Sequence, residues 1–141
     1  MASAERVFNL LAEENEIDDS ALPEMKKCNG EVNLKNVKFS YDPAFKLIEN
    51  LNLNVKQGQR IAIVGPTGCG KSTIINLLMR FYDVTSGSIS VSGKDLRKVK
   101  RKSFRQFYGM VLQESWLYNA SIKENVAYGK PNATLDEIIE A

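Results

Sequence analysis

Residues 65–73 read Gly65-Pro66-Thr67-Gly68-Cys69-Gly70-Lys71-Ser72-Thr73. The spacing is G-x-x-x-x-G-K-S, and each residue type has a task in holding a polyphosphate. Glycines let the backbone wrap tightly, so that successive N–H groups converge on phosphate oxygens. A helix opening near Lys71 would add the positive end of its dipole. Lys71 supplies a mobile positive charge for the terminal phosphates, and Ser72 a hydroxyl for Mg²⁺. Thr73 is placed for a further phosphate contact. A glycine turn without a ligand would not need Lys71 and Ser72 together.

Such a loop works only between the right elements. Before it, Ile61-Ala62-Ile63-Val64 has no polar face. A run of that kind suits a strand covered on both sides, as in a parallel sheet. After it, Ile74, Leu77, Leu78 and Phe81 fall at i, i+3, i+4 and i+7, which predicts a helix with a buried stripe. Farther upstream, Val32 and Leu34 alternate with polar residues, and Val37, Phe39 and Tyr41 alternate in the opposite phase. The slip needs a bulge or a break near Lys35-Asn36. Asp42-Pro43 reads as a turn. Leu51, Leu53 and Val55 make a further alternating strand closed by Gln57-Gly58, and Ile89 and Val91 another, between Ser86-Gly87 and Ser92-Gly93. Met110-Val111-Leu112 is expected to be a strand. Three Ser/Thr residues with Glu or Gln three places on, Ser103/Gln106, Ser121/Glu124 and Thr134/Glu137, predict capped helix starts.

Charge is unevenly spread. Residues 1–24 hold seven acids and one base, Arg6, around a short helix marked by Val7, Leu10, Leu11 and Glu14, with a linker at residues 18–23. Residues 94–105 hold seven bases and one acid, Asp95. With no aromatic interleaved before Phe104, this basic run reads as a solvated face of a β subdomain rather than a nucleic-acid surface. The whole chain has 141 residues, 19 bases against 17 acids and a net charge of +2, which by itself calls for no polyanionic partner. It has no histidine, so His-based catalysis and His metal sites are excluded within it. The two cysteines, Cys28 and Cys69, have no metal-ligand spacing and form no disulfide framework. No apolar run approaches the roughly 20 residues that span a bilayer, so the chain as given is expected to be soluble.

The flanks of the loop carry a resemblance. Val37-Lys38-Phe39-Ser40-Tyr41, Gln59 to Val64, Phe81 to Ile89, Gly109-Met110-Val111-Leu112-Gln113 and Ser121 to Gly129 together resemble the nucleotide-binding domain of an ATP-binding cassette (ABC) exporter with fused membrane helices. The likeness covers roughly residues 30–141. It implies an α/β fold: a P-loop core with a mostly parallel sheet, and a small antiparallel β subdomain from residues near 31–55 and 87–93. Residues 1–24 would be the connector from an upstream membrane domain, and 25–141 the N-terminal part of the nucleotide-binding domain. The cofactors implied are ATP and Mg²⁺. Residues 65–73 would hold the phosphates. Tyr41 would stack on adenine, which tolerates different bases. Gln113 would join Ser72 at Mg²⁺ and reach the attacking water. Trp116, Leu117 and Tyr118 would lie near a membrane-domain contact. In the parent, a membrane domain and a second nucleotide-binding domain would be partners, at the cytoplasmic face of the cell membrane, with no nucleic acid involved.

Three elements of that family are not found here, one of them a switch histidine, since the chain has no histidine. There is no Gly-Gly pair for a signature sequence, and the one Asp-Glu pair, Asp136-Glu137, follows Asn132-Ala133-Thr134-Leu135 rather than four apolar residues. The chain is therefore expected to bind nucleotide without turning it over, and to leave apolar surface and strand edges uncovered. Three other readings compete: a soluble ABC ATPase of DNA repair or translation, a small P-loop kinase or GTPase, and a nonenzymatic module using the basic run.

Overall fold

The computed structural model describes residues 2–111, 116–130 and 132–141, and only the backbone of Ala2 and Ser3. These residues fall into two compact units, the first ending at Tyr108 and the second starting at Gly109.

The first unit opens with helix α1 (Ala2–Ala12), whose Val7, Phe8, Leu10 and Leu11 are exposed. Its centre is a four-stranded antiparallel sheet in the order β2-β1-β3-β4. The strands are β1 (Val32–Phe39), β2 (Ile48–Val55), β3 (Ser86–Val91) and β4 (Lys94–Asp95). The expected phase slip in β1 is present: the register shifts between Leu34 and Val37, and Asn36 turns left-handed at φ 48°. The bulge returns Leu34, Val37 and Phe39 to one buried face. Two features hold it. The Asn36 N–H donates to Asn52 Oδ1 at 2.9 Å, replacing a ladder bond. Gly87 lies opposite, where a Cβ would stand 2.3 Å from the Asn36 carbonyl oxygen and 2.4 Å from that of Lys35.

Helix α2 (Lys71–Leu78) and the segment from Leu96 through α3 (Arg101–Arg105) supply the other side of the core. Leu77, Leu96, Val99, Phe104 and Met25 are buried with Leu34, Val37, Phe39, Ile89 and Val91. Each such side chain contributes roughly 1.5–3 kcal/mol of burial. The predicted α2 stripe is met at Leu77 but not at Phe81, which is 48% exposed and lies beyond the helix end.

The turn that ends α2 has a defined geometry. The Phe81 N–H donates to the Asn76 carbonyl (2.9 Å) and the Arg80 N–H to that of Leu77 (3.0 Å), with Arg80 left-handed at φ 52°. This is a Schellman cap, with arginine where glycine usually stands. The buried Arg80 guanidinium supports it by donating to Asp83 Oδ1 (2.8 Å) and to the Leu96 carbonyl (2.9 Å).

Two expected strands are not formed. Ile61–Val64 has no regular secondary structure and joins no ladder, with Ile61 48%, Ile63 37% and Val64 87% exposed. A strand needs neighbours to take its backbone groups, and none of the four strands runs beside this segment. Met110 and Val111 are likewise exposed and unpaired, and Leu112 lies outside the described residues. The sheet among the described residues is thus wholly antiparallel, where a mostly parallel one was expected.

The second unit holds α4 (Ile122–Val126) and α5 (Leu135–Glu140). Both predicted capping boxes are present, Ser121 with Glu124 and Thr134 with Glu137. The third is not. Ser103 sits inside α3, which starts after Lys100; its hydroxyl donates to the Lys100 carbonyl (2.8 Å) and accepts from the Met25 N–H (2.9 Å). A tertiary bond has taken the side chain that a cap would have used.

Candidate phosphate and nucleotide site

Residues 67–70 turn the chain into α2. Gly70 is the N-cap residue at φ 93° and has no side chain with which to cap. The first N–H groups of α2, from Lys71 onward, have no carbonyl partner within the helix. An uncapped helix start with its dipole directed at a loop is a ready anion seat. Lys71 curls back over that loop: its Nζ donates to the carbonyls of Gly65 (2.9 Å) and Pro66 (2.7 Å). A Cβ on Gly65 would stand 2.6 Å from Cys69 Sγ, so the loop is closed around its own side chain at that point. Ser72 is exposed beside Lys71, whereas Thr73 is buried, 5% exposed. An uncapped helix start, a folded-back ammonium and an exposed hydroxyl together suit a polyphosphate with its cation. Among the described residues no cluster of three His, Cys, Asp or Glu is placed to hold a metal ion.

Tyr41, half exposed at 52%, lies just beyond the end of β1. Its ring meets those of Phe39 and Tyr82 edge-on, each with centroids 5.0 Å apart. Its hydroxyl accepts from Asn76 Nδ2 at 3.2 Å. The same helix that begins with Lys71 thus holds Tyr41 near its other end. Sequence reading missed Asn76 because nothing in a helical asparagine marks it. Tyr82 was legible only as part of a longer stretch.

Lys94, Arg97, Lys98 and Lys102 are exposed, as expected of a solvated face, but Lys100, Arg101 and Arg105 are not. Arg101 is buried: its backbone N–H donates to Asp19 Oδ2 (2.7 Å) and its Nη1 to the Ile17 carbonyl (2.8 Å). Lys100 pairs with Glu24, and Arg105 with Glu16 at 3.7 Å. Arg105 also donates to the carbonyls of Met79 and Arg80, both at 2.9 Å, closing the end of α2 from outside. The acidic segment and the basic helix answer each other, a signal present in the charge pattern all along. Asp95 Oδ2 and Arg97 Nη2 pair at 2.9 Å, and the Arg97 side chain holds the Asp95 carboxyl below its usual range.

Gln113 lies outside the described residues. In the second unit, Trp116 and Tyr118 meet edge-on at 5.6 Å and are exposed, as is Leu117. Asn125 holds the Tyr118 backbone from both sides, accepting from its N–H (2.8 Å) and donating to its carbonyl (3.0 Å).

Comparison with known proteins bears on this arrangement. The family model described as ABC transporter matches residues 48–141. The chain belongs to the ABC transporter family. A fatty acid ABC transporter ATP-binding/permease protein of Mycobacterium tuberculosis is 50% identical over 141 residues, all of this chain and 22% of that protein. The mitochondrial iron-sulfur clusters transporter atm1 of Neurospora crassa is 40% identical over 139 residues, 97% of this chain and 19% of its own length. Among solved structures, a bacterial Atm1-family ABC exporter with ATP bound matches with a TM-score of 0.80 and 37% identity, over 94% of this chain and 24% of that one. The chain therefore spans about a fifth of the length of the relatives it matches. It shares the α/β P-loop fold of the ABC ATPases, and family membership implies ATP binding. These ABC relatives are exporters and permeases, which favours the exporter resemblance over a soluble DNA-repair ATPase. No helix among the described residues is long and apolar enough to cross a membrane.

Proposed function

We propose that this chain is the ATP-binding portion of an exporter-type ABC transporter, in which nucleotide binding and hydrolysis drive a solute across a membrane. The observation that carries the reading is the loop at residues 65–73, with Lys71 folded over it at an uncapped helix start. In this reading Gly65, Pro66, Thr67, Gly68, Cys69 and Gly70 wrap the phosphates, and Lys71 exchanges two carbonyls for phosphate oxygens. Ser72 holds Mg²⁺ together with Gln113, Thr73 assists the loop, and Tyr41 stacks on adenine. Bound Mg²⁺ supplies charge neutralisation at the phosphates. Residues 1–24 connect from a membrane domain, the apolar group Trp116, Leu117 and Tyr118 lies near a membrane-domain contact, and a second nucleotide-binding domain completes the site at the cytoplasmic face of the membrane.

With neither a Gly-Gly signature pair nor an acid-tipped apolar strand in its sequence, the chain binds nucleotide and lacks its own general base. Titration with Mg-ATP and Mg-ADP should show saturable binding that Lys71→Ala weakens by tenfold or more, since a charged hydrogen bond contributes about 1.5–3 kcal/mol. Phosphate release by the chain alone should stay at background. No response at millimolar nucleotide from folded protein would overturn the binding reading, and Lys71-dependent turnover would overturn the inactive one.

A further inference from the structure

The tyrosine at the end of β1 is held by more than its strand. Three contacts fix it: two edge-on aromatic contacts, to Phe39 and Tyr82, and one hydrogen bond, from Asn76. Phe39 is core, 6% exposed, and anchors any strand-end aromatic. Asn76 and Tyr82 are different, because one lies in the last turn of α2 and the other just past its cap. Asn76 is the residue whose carbonyl receives the Phe81 N–H in the Schellman cap, and Tyr82 follows that cap directly. The last turn of α2 thus supplies an amide donor to the Tyr41 hydroxyl, and the chain just past the left-handed turn at Arg80 supplies an aromatic edge to its ring.

We propose that Asn76 and Tyr82 are positioning residues that set the orientation of Tyr41 for a nucleobase. The inference rests on the reading of Tyr41 as the base-stacking residue. Helix α2 carries Lys71 at its start and Asn76 five residues on, about 7.5 Å along the axis. One element thereby carries Lys71 at its start and a hydrogen bond to Tyr41 near its end, and so ties the phosphate group to the base group. A stacking ring that is already oriented loses less conformational freedom when a base arrives, so its contribution to affinity is larger. The hydroxyl of Tyr41 then acts at a distance from the base, by fixing the ring.

The test compares two ligands on the full chain, Mg-ATP and Mg-tripolyphosphate, which has no base. Asn76→Ala should weaken ATP about three- to tenfold, the range expected for one exposed hydrogen bond, and leave tripolyphosphate unchanged. Tyr41→Phe breaks the same bond from its other end and should match Asn76→Ala; this also serves if Asn76→Ala does not fold. The double variant should be no weaker than either single one. Tyr82→Leu, which keeps bulk but removes the edge contact, should weaken ATP alone. Equal loss for both ligands in Asn76→Ala would mean a damaged helix or a phosphate role and would overturn the inference. So would unchanged ATP affinity in Asn76→Ala where Tyr41→Ala weakens ATP, an outcome that leaves the stacking reading standing. Unchanged ATP affinity in Tyr41→Ala would remove the stacking reading and this inference with it.

Discussion

Arg80 offers a sharp test of how the end of α2 is built. Its guanidinium, 8% exposed with its residue, makes two short charged hydrogen bonds, to Asp83 Oδ1 (2.8 Å) and to the Leu96 carbonyl (2.9 Å). Removing it leaves a buried carbonyl without its donor, while the half-exposed Asp83 can turn to water, a loss of about 1.5–3 kcal/mol. Arg80→Ala keeps the left-handed backbone, φ 52°, that alanine resists. Arg80→Gly loses the same bonds but sheds a penalty of about 1 kcal/mol. The expected order is wild type, then Gly, then Ala, with about 1 kcal/mol between the last two. Inside a helix the order of Gly and Ala would be reversed by a similar amount. Urea unfolding followed by circular dichroism measures all three. Alanine as stable as glycine, or both within about 0.5 kcal/mol of wild type, would refute the cap and the supporting role of the guanidinium.

Three further outcomes are expected. Gly87→Ala should cost well over 2 kcal/mol or prevent folding, because its methyl would sit against the carbonyls of Lys35 and Asn36 and nothing but backbone can move; thermal unfolding checks this. Asp19→Ala leaves the Arg101 backbone N–H and side chain without their carboxylate, and should speed proteolysis of the segment around residues 13–24 while leaving the β sheet protected, as read by limited digestion and mass spectrometry. Hydrogen bonds from Ser121 hold the Glu124 carboxyl below its ordinary value of 4.5, and the Lys130 side chain does the same first for Glu137. With folded values depressed, their support of α4 and α5 is present above about pH 4.5 and is lost as pH falls through those lower values; the NMR amide signals of Glu124 and Glu137 should move only at that acid end.

The phosphate loop was legible because glycine spacing, lysine and serine are local requirements of one chemistry, and the irregularity in β1 because a phase change at Lys35-Asn36 leaves only a bulge or a break, between which the pairing decides. Both capping boxes that hold, at Ser121 and Thr134, open exposed helices where nothing competes for the side chain. At Ser103 the Met25 N–H competes and wins, which no local rule foresees. The run Ile61–Val64 has the composition of a buried strand, but a strand exists only where a neighbour accepts its hydrogen bonds, and composition does not count neighbours. Asn76 and Arg80 were invisible for a related reason: their roles arise from the end of a helix meeting a sheet. The answering charges of residues 16–24 and 100–105 were written in the sequence, yet each run by itself reads as solvated.

The fastening of the acidic segment to α3 determines where a mechanical load enters the molecule. A pull on the chain ahead of Glu16 is not spread along a slack tether. It arrives at Arg101 and Arg105, and Arg105 grips the last carbonyls of the helix that begins with Lys71. One arginine fork, Arg105, thus bridges the acidic segment and the turn that closes the rod on which the phosphate loop is mounted.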